Sequence, residues 1–268
     1  DGAIIIPETI GGKKVSKIGY GAFRGDAYKY ALKITSLTIG DNIEVQAWAF
    51  LFMSNLETVS FGNNCSFYVY ENAYNPFSSC PSLKSIEFGD NCVISKKVIG
   101  YLSSLEKVSF GKGTTLGEEA FYDCDSLRKV TIGDGATINQ YAFNGCDGSF
   151  EIEIGNDAAV KKYAFRGCNG VTKIVIGDNS TFEIWSFYRC SNLKEAVIGN
   201  SARIISETFR ESSIEKVTVG DDAVIDAKAF YDCPSIAELI CSGEALIKDN
   251  FADKYTPNVK ISRSSSRF

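Results

Sequence analysis

Nine cysteines and no histidine bound the chemistry open to this chain of 268 residues. Six of the nine, Cys80, Cys124, Cys146, Cys168, Cys190 and Cys233, each stand three residues after a phenylalanine. Such a row offers a disulfide ladder or a soft-metal track, or else a file of buried thiols packing as small hydrophobes. Met53, Leu102 and Ser212 occupy the same slot elsewhere, so the slot is small and largely apolar, which favours buried thiols. Neighbours along the row fall within disulfide reach, but side chains that point the same way bridge poorly. No C-x-x-C pair occurs, and Cys241 falls at a strand-core position while Cys65 and Cys92 fall in turns. Without histidine the chain lacks Ser/His/Asp and Cys/His nucleophilic machinery and any histidine-bearing zinc site. Paired carboxylates remain chemically available, so an enzyme is disfavoured rather than eliminated. No motif asks for a cofactor.

The elements that carry these residues repeat. Phe121, Phe143, Phe165 and Phe187 recur at 22 residues, as do Gly133, Gly155, Gly177 and Gly199. Counting outwards from Phe23 to Phe251 gives ten or eleven units. A fixed period of this length marks a solenoid of stacked coils. Each unit reads L-x-x-V-x-I-G-D-x-x-x-(I/V/F)-x-x-x-A-F-x-x-C. Alternating apolar residues before the glycine predict a strand, and stacking predicts one parallel sheet. The glycine is read as a turn residue, with Asp or Asn after it to bond turn amides. The A-F-x-x-C piece is too short for more than one helical turn and is read as 3₁₀. The predicted organisation is an N-terminal cap and first strand over 1–21, the repeat array over 22–252, and a closing segment with a flexible tail over 253–268. Within that last part Val259 and Ile261 suggest one more strand. The start at Asp1-Gly2, without a basic-then-apolar leader, suits a mature or truncated chain.

The repeated Leu-x-x-Val-x-Ile followed by Ile-x-x-x-Ala-Phe-x-x-Cys resembles the BspA-like class of leucine-rich repeats. The opening IPETIGGKKVSKIGYGAF is similar to that family's usual first coil, and the likeness extends from about residue 4 to 252. One departure is Ile-Gly-Asp after the strand where the family commonly has Ile-Pro. The resemblance implies a leucine-rich repeat solenoid with a parallel sheet on one face and short turns or 3₁₀ segments on the other. It also implies a non-catalytic, secreted or cell-surface module that adheres to host or neighbouring-cell proteins or glycans. The family motif consists of core positions, so no functional residue is carried over from it.

Binding residues must therefore come from what the motif leaves free. Two five-residue insertions, within Arg24–Lys33 and Asn63–Pro76, hold Tyr28, Tyr30, Tyr68, Tyr70 and Tyr74, a dense use of an interface residue. The outward row four before each glycine alternates in sign from Lys129 to Glu238, a self-neutralising ladder that offers no single-sign field. The row two before each glycine carries Val175, Val197 and Ile240, candidates for a small apolar stripe. The Asp/Asn turn row lacks any D-x-D-x-D-G loop and is interrupted by Lys112, so turn chemistry accounts for it better than calcium. A net charge of −5 and a pI near 5 argue against nucleic acid, and no run of 18 apolar residues is present to insert in a membrane. The reading is a monomeric, extracellular or surface-borne protein- or glycan-binding array. Alternatives are a structural spacer within a larger surface protein and a parallel β-helix acting on carbohydrates.

Overall fold

The structure, a computed structural model, describes residues 2–68, 75–252 and 259–264. Its long strands arise where the motif alternates. In Lys129–Ile132, Val130 and Ile132 point inward and are buried while Lys129 and Thr131 face out, as period-2 geometry requires. Successive long strands pair in parallel, Lys129 beside Glu151, Glu151 beside Lys173, and Lys173 beside Glu195, with one irregularity between Phe150 and Glu151, just ahead of this row. Among the described residues they build a 12-stranded sheet running from Ala3–Ile6 to Lys260–Ser264. Equivalent residues of successive coils thus lie over one another, and the interior is a single continuous core.

The second apolar position, five after the glycine, forms an element of its own. Residues such as Ile138, Val160 and Ile204 sit in two-residue strands that pair coil to coil into a second parallel sheet of 11 strands. Each coil therefore has two strand sides, where the motif predicts one. On the remaining side the A-F-x-x-C segments are short turns. The only 3₁₀ helix among the described residues, Ala31–Lys33, belongs to the first insertion instead. The turns are closed by hydrogen bonds that run along the solenoid: Phe143 N–H donates to Ala164 C=O at 2.8 Å, and Phe165 N–H to Ser186 C=O at 2.8 Å.

The phenylalanines form a spine. Phe121, Phe143, Phe165, Phe187, Phe209 and Phe230 are fully buried, and their rings stack at centroid separations of 4.9–5.4 Å. That separation is close to the inter-strand spacing of a sheet, so ring stacking and strand pairing impose the same rise. The series stops one coil earlier than the count to Phe251 predicts. Phe230 N–H bonds Phe251 C=O, whereas Phe209 N–H bonds Ala229 C=O. Phe251 therefore occupies the alanine register and meets Phe230 edge-on at 6.3 Å, only partly buried.

The turn glycines require a different explanation from the one their position suggests. Gly177 does not adopt a positive φ. A Cβ there would lie 2.5 Å from Asn156 N and Gly155 C of the coil below, and most other glycines of the row meet the same obstruction. These residues are glycine because stacked backbones touch. The left-handed conformation falls two residues later, at Asn42, Asn64, Asn91, Asp157 and Asn179, and at Gly113 and Gly135. Asn, Asp and Gly tolerate that region best.

Candidate functional site

The cysteine row is buried and every thiol is free. Each Sγ–H donates to a backbone carbonyl one coil back: Cys168 to Phe143 at 2.8 Å, Cys233 to Phe209 at 2.9 Å, Cys80 to Phe50 at 3.0 Å and Cys146 to Phe121 at 3.1 Å. Cys65 and Cys92 are also buried, and they donate to Gly40 and Gly62 carbonyls at 3.3 Å. Burial pushes the Cys80 thiol up to about 12 and raises Cys168 and Cys190 as well. A nucleophilic or metal-binding cysteine needs its thiolate near neutral pH, and burial at Cys80, Cys168 and Cys190 opposes it. Ellman's reagent at pH 8 is expected to find essentially no thiols in the native protein and all nine in denaturant. Prompt reaction of several thiols in the native state would contradict this assignment.

Of the tyrosines singled out from the insertions, Tyr28 and Tyr30 come together, their rings stacked at 5.5 Å and about half exposed. The Tyr30 hydroxyl reaches back toward Ala22 C=O at 3.5 Å. Tyr68 is also half exposed but stands on the short-strand side, beside Gln46, and shares no ring contact with them among the described residues. Tyr70 and Tyr74 lie outside the described residues. On the outward side of the long sheet, Val175 and Val197 are direct neighbours, but Thr218 separates Val197 from Ile240. The apolar stripe is thus a pair and an outlier. Val197 and Thr218 line an open hollow of ≈ 330 Å³.

A further set of side chains gathers on the turn side of coils 141–231. Tyr141, Tyr163 and Trp185, each two residues before a spine phenylalanine and each at positive φ, form a continuous stack with centroids 5.2 Å apart at both steps. Lys162 Nζ lies 4.6 Å from the Trp185 ring and 5.1 Å from that of Tyr163, and the Arg166 guanidinium 5.7 Å from Tyr163. Trp185 Nε1 donates to Glu207 at 2.9 Å, and the Tyr188 hydroxyl to Glu211 at 3.2 Å. Arg210 holds Glu207 at 2.8 Å, and Arg189 holds Glu211 at 2.8 Å. Burial by itself would raise both carboxyls, but the bonds from Trp185 and Arg210, and from Arg189 and Tyr188, outweigh it and keep both below the usual range. This ridge has a signal in the sequence, a column of aromatics at 22-residue spacing, that goes unread while attention rests on the irregular insertions.

The chain matches the BspA type leucine rich repeat region in six copies, over residues 16–149 and 114–237. It belongs to the BspA-type leucine-rich repeat family. No curated protein matches it. It is similar to a solved leucine-rich repeat protein from Bacteroides ovatus ATCC 8483, with 18% identity, 98% of this chain and 71% of that one covered, and a TM-score of 0.36. It is also similar to a leucine rich cell surface protein from Faecalibacterium prausnitzii A2-165, with 17% identity, coverage of 100% and 89%, and a TM-score of 0.33. The circular leucine-rich repeat protein CroV588 shares 17% identity over 84% of this chain and 37% of that one, with a TM-score of 0.39.

In this chain Gly-Asp or Gly-Asn follows most of the long strands, and the structure shows what the Asp or Asn does. Each Asp or Asn side chain accepts the backbone N–H of its counterpart one coil on: Asp178 from Asn200 at 2.7 Å, Asn156 from Asp178 at 2.8 Å, Asn63 from Asp90 at 2.7 Å. The ladder is structural, and Lys112, which interrupts it, pairs with Asp134 at 3.2 Å. Among the described residues no group of three or more His, Cys, Asp or Glu could hold a metal ion, and no helix is long and apolar enough to cross a membrane. The alternating outward row stands in cross-strand register from Lys129 to Lys260. Lys173 pairs directly with Glu195 at 3.2 Å, while Lys129 reaches diagonally to Glu153 at 2.9 Å.

Proposed function

We propose that this BspA-type array is a non-catalytic recognition module, carried outside the cell or on its surface, that adheres to proteins or glycans of a host or neighbouring cell. The observation that carries the reading is the division of labour within each coil. The repeated positions of the motif are spent on the core and on backbone ladders, and the residues that vary are displayed on a rigid scaffold. Tyr28 and Tyr30 are the clearest instance, a half-exposed pair whose mutual stacking limits the freedom they lose on binding. Tyr68, Tyr70 and Tyr74 extend the candidate surface, with Val175, Val197 and Ile240 as a second patch. Family membership supports the extracellular setting.

Glycan and matrix-protein arrays probed with the chain are expected to return a ligand whose affinity falls about tenfold or more in Tyr28→Ala/Tyr30→Ala. A folded double variant that retains full affinity for every ligand found would remove the tyrosine site. Silence across both arrays would instead support a spacer that holds another domain away from the cell.

A further inference from the structure

The ridge from Tyr141 to Tyr231 goes beyond the surfaces considered above. We propose that it is a second docking surface, specific for an acidic, extended polypeptide segment of a protein partner. Three observations point there. First, its charge opposes that of the whole. The chain carries a net charge of −5, yet among the described residues the side-chain cations of Lys162, Arg166 and Lys228 on this ridge form no ion pair; the nearby Glu183, which accepts the Lys162 backbone N–H at 3.0 Å, is paired with Lys161. They lie against aromatic rings instead, with Lys228 Nζ 5.9 Å from the Tyr231 ring. A cation held over a ring rather than beside a carboxylate keeps its charge available to a ligand.

Second, the side chains are already in place. Tyr163 is stacked between Tyr141 and Trp185, and Trp185 and Tyr188 are tethered by the carboxylates of Glu207 and Glu211, which Arg210 and Arg189 hold in turn. Tyrosine, tryptophan and arginine dominate protein hot spots, and rotamers fixed beforehand lower the entropy lost on docking.

Third, the stack favours a peptide over a sugar. Ring faces in the column are spent on one another, with Tyr141 and Tyr163 only 7° from coplanar orientation and Tyr163 and Trp185 20°. What remains outward are ring rims and cations. A pyranose that needs an open face to lie on finds none at Tyr163, whereas carboxylates and apolar side chains suit rims and cations. Lys162 and Lys228 belong to coils three apart, a rise on the order of 14 Å along the axis. An extended chain covers that distance in about four residues, so the segment carries acidic residues about four apart with apolar ones between.

The test uses the full chain and a phage-displayed library of random dodecapeptides. Selection is expected to enrich peptides that combine Asp or Glu with aromatic or aliphatic residues. Synthetic copies of the winners should lose at least about tenfold in affinity for Lys162→Glu/Arg166→Glu and weaken as salt is raised. They should bind Lys13→Glu/Lys14→Glu, which makes the same change in net charge on the antiparallel hairpin formed by Thr9–Ile10 and Lys13–Lys14, as they bind the parent chain. Enrichment without acidic residues, or equal binding to the ridge and hairpin variants, would overturn the proposal. So would a ligand that needs Lys162 and Arg166 but proves to be a sialylated or sulfated glycan on an array. Peptide binding that survives Tyr28→Ala/Tyr30→Ala supports a second surface. Array ligands that depend on Tyr28 and Tyr30 while no acidic peptide is selected would sink this inference alone.

Discussion

Phe143→Ala is expected to lower stability by about 3–5 kcal/mol, the usual cost of emptying a buried phenylalanine site. Phe143 is fully buried, with Phe121 5.2 Å below its ring and Phe165 5.0 Å above. The cavity falls between two coils whose spacing is held by strand pairing on two sides, so the walls have little freedom to collapse into it. In a chain of this size the loss corresponds to a fall in Tm of roughly 6–20 °C. Because each coil touches only its neighbours, a weakened interface also tends to split the array into two units, and the calorimetric transition should broaden. An unchanged Tm and transition width would mean that the rings do not form a stabilising spine.

Gly177→Ala is expected to cost about 3 kcal/mol or more, at the upper end of overpacking penalties. The new methyl would stand 2.5 Å from backbone atoms of the coil below, with no flexible side chain to move aside. Relief requires the coils to part, which strains the bond from Gly177 N–H to Ile154 C=O at 2.8 Å and that from Asp178 N–H to Asn156 at 2.8 Å. Gly135→Ala is the informative comparison. Gly135 has φ +66°, and the nearest atom to an added methyl is 4.0 Å away. It should lose only about 1–2 kcal/mol, the penalty of a left-handed alanine. Thermal melts of the two variants decide the matter. Should Gly135→Ala prove the more damaging, the row would be glycine for conformation and not for contact.

The two substitutions also bear on function. A ridge or a tyrosine pair is useful for recognition only while the rise from coil to coil is constant, since that rise sets the spacing of every displayed side chain. The spine and the glycine row maintain it. A variant that loosens either should blunt binding at surfaces it never touches.

Several features of the molecule were readable before any coordinates. The 22-residue recurrence of phenylalanine and glycine, and the alternation in segments such as Lys129–Ile132, are enough for a parallel solenoid. A stacked array places identical demands on every coil, so identical residues recur and the demand shows through. The charge ladder was legible for the same reason, because the charged row keeps its cross-strand register and so turns a row in the sequence into a row in space. The buried character of the cysteines followed from Met53 and Leu102 sharing their slot.

Other features were decided only by contacts between coils. The second sheet is built from strands of two or three residues with one inward side chain each, too short to display a period. The reason for the turn glycines lies in the backbone of the preceding coil, 22 residues away, and their own neighbours in sequence suggest a turn instead. Phe251 keeps the motif's residue type but sits one register off, because hydrogen bonding to Phe230, not residue identity, sets the last coil's position. The ridge varies in residue type from coil to coil and so leaves only a faint repeat. It becomes a surface because the rise of the solenoid nearly equals the distance at which aromatic rings stack, a coincidence of lengths that exists only once the chain is wound.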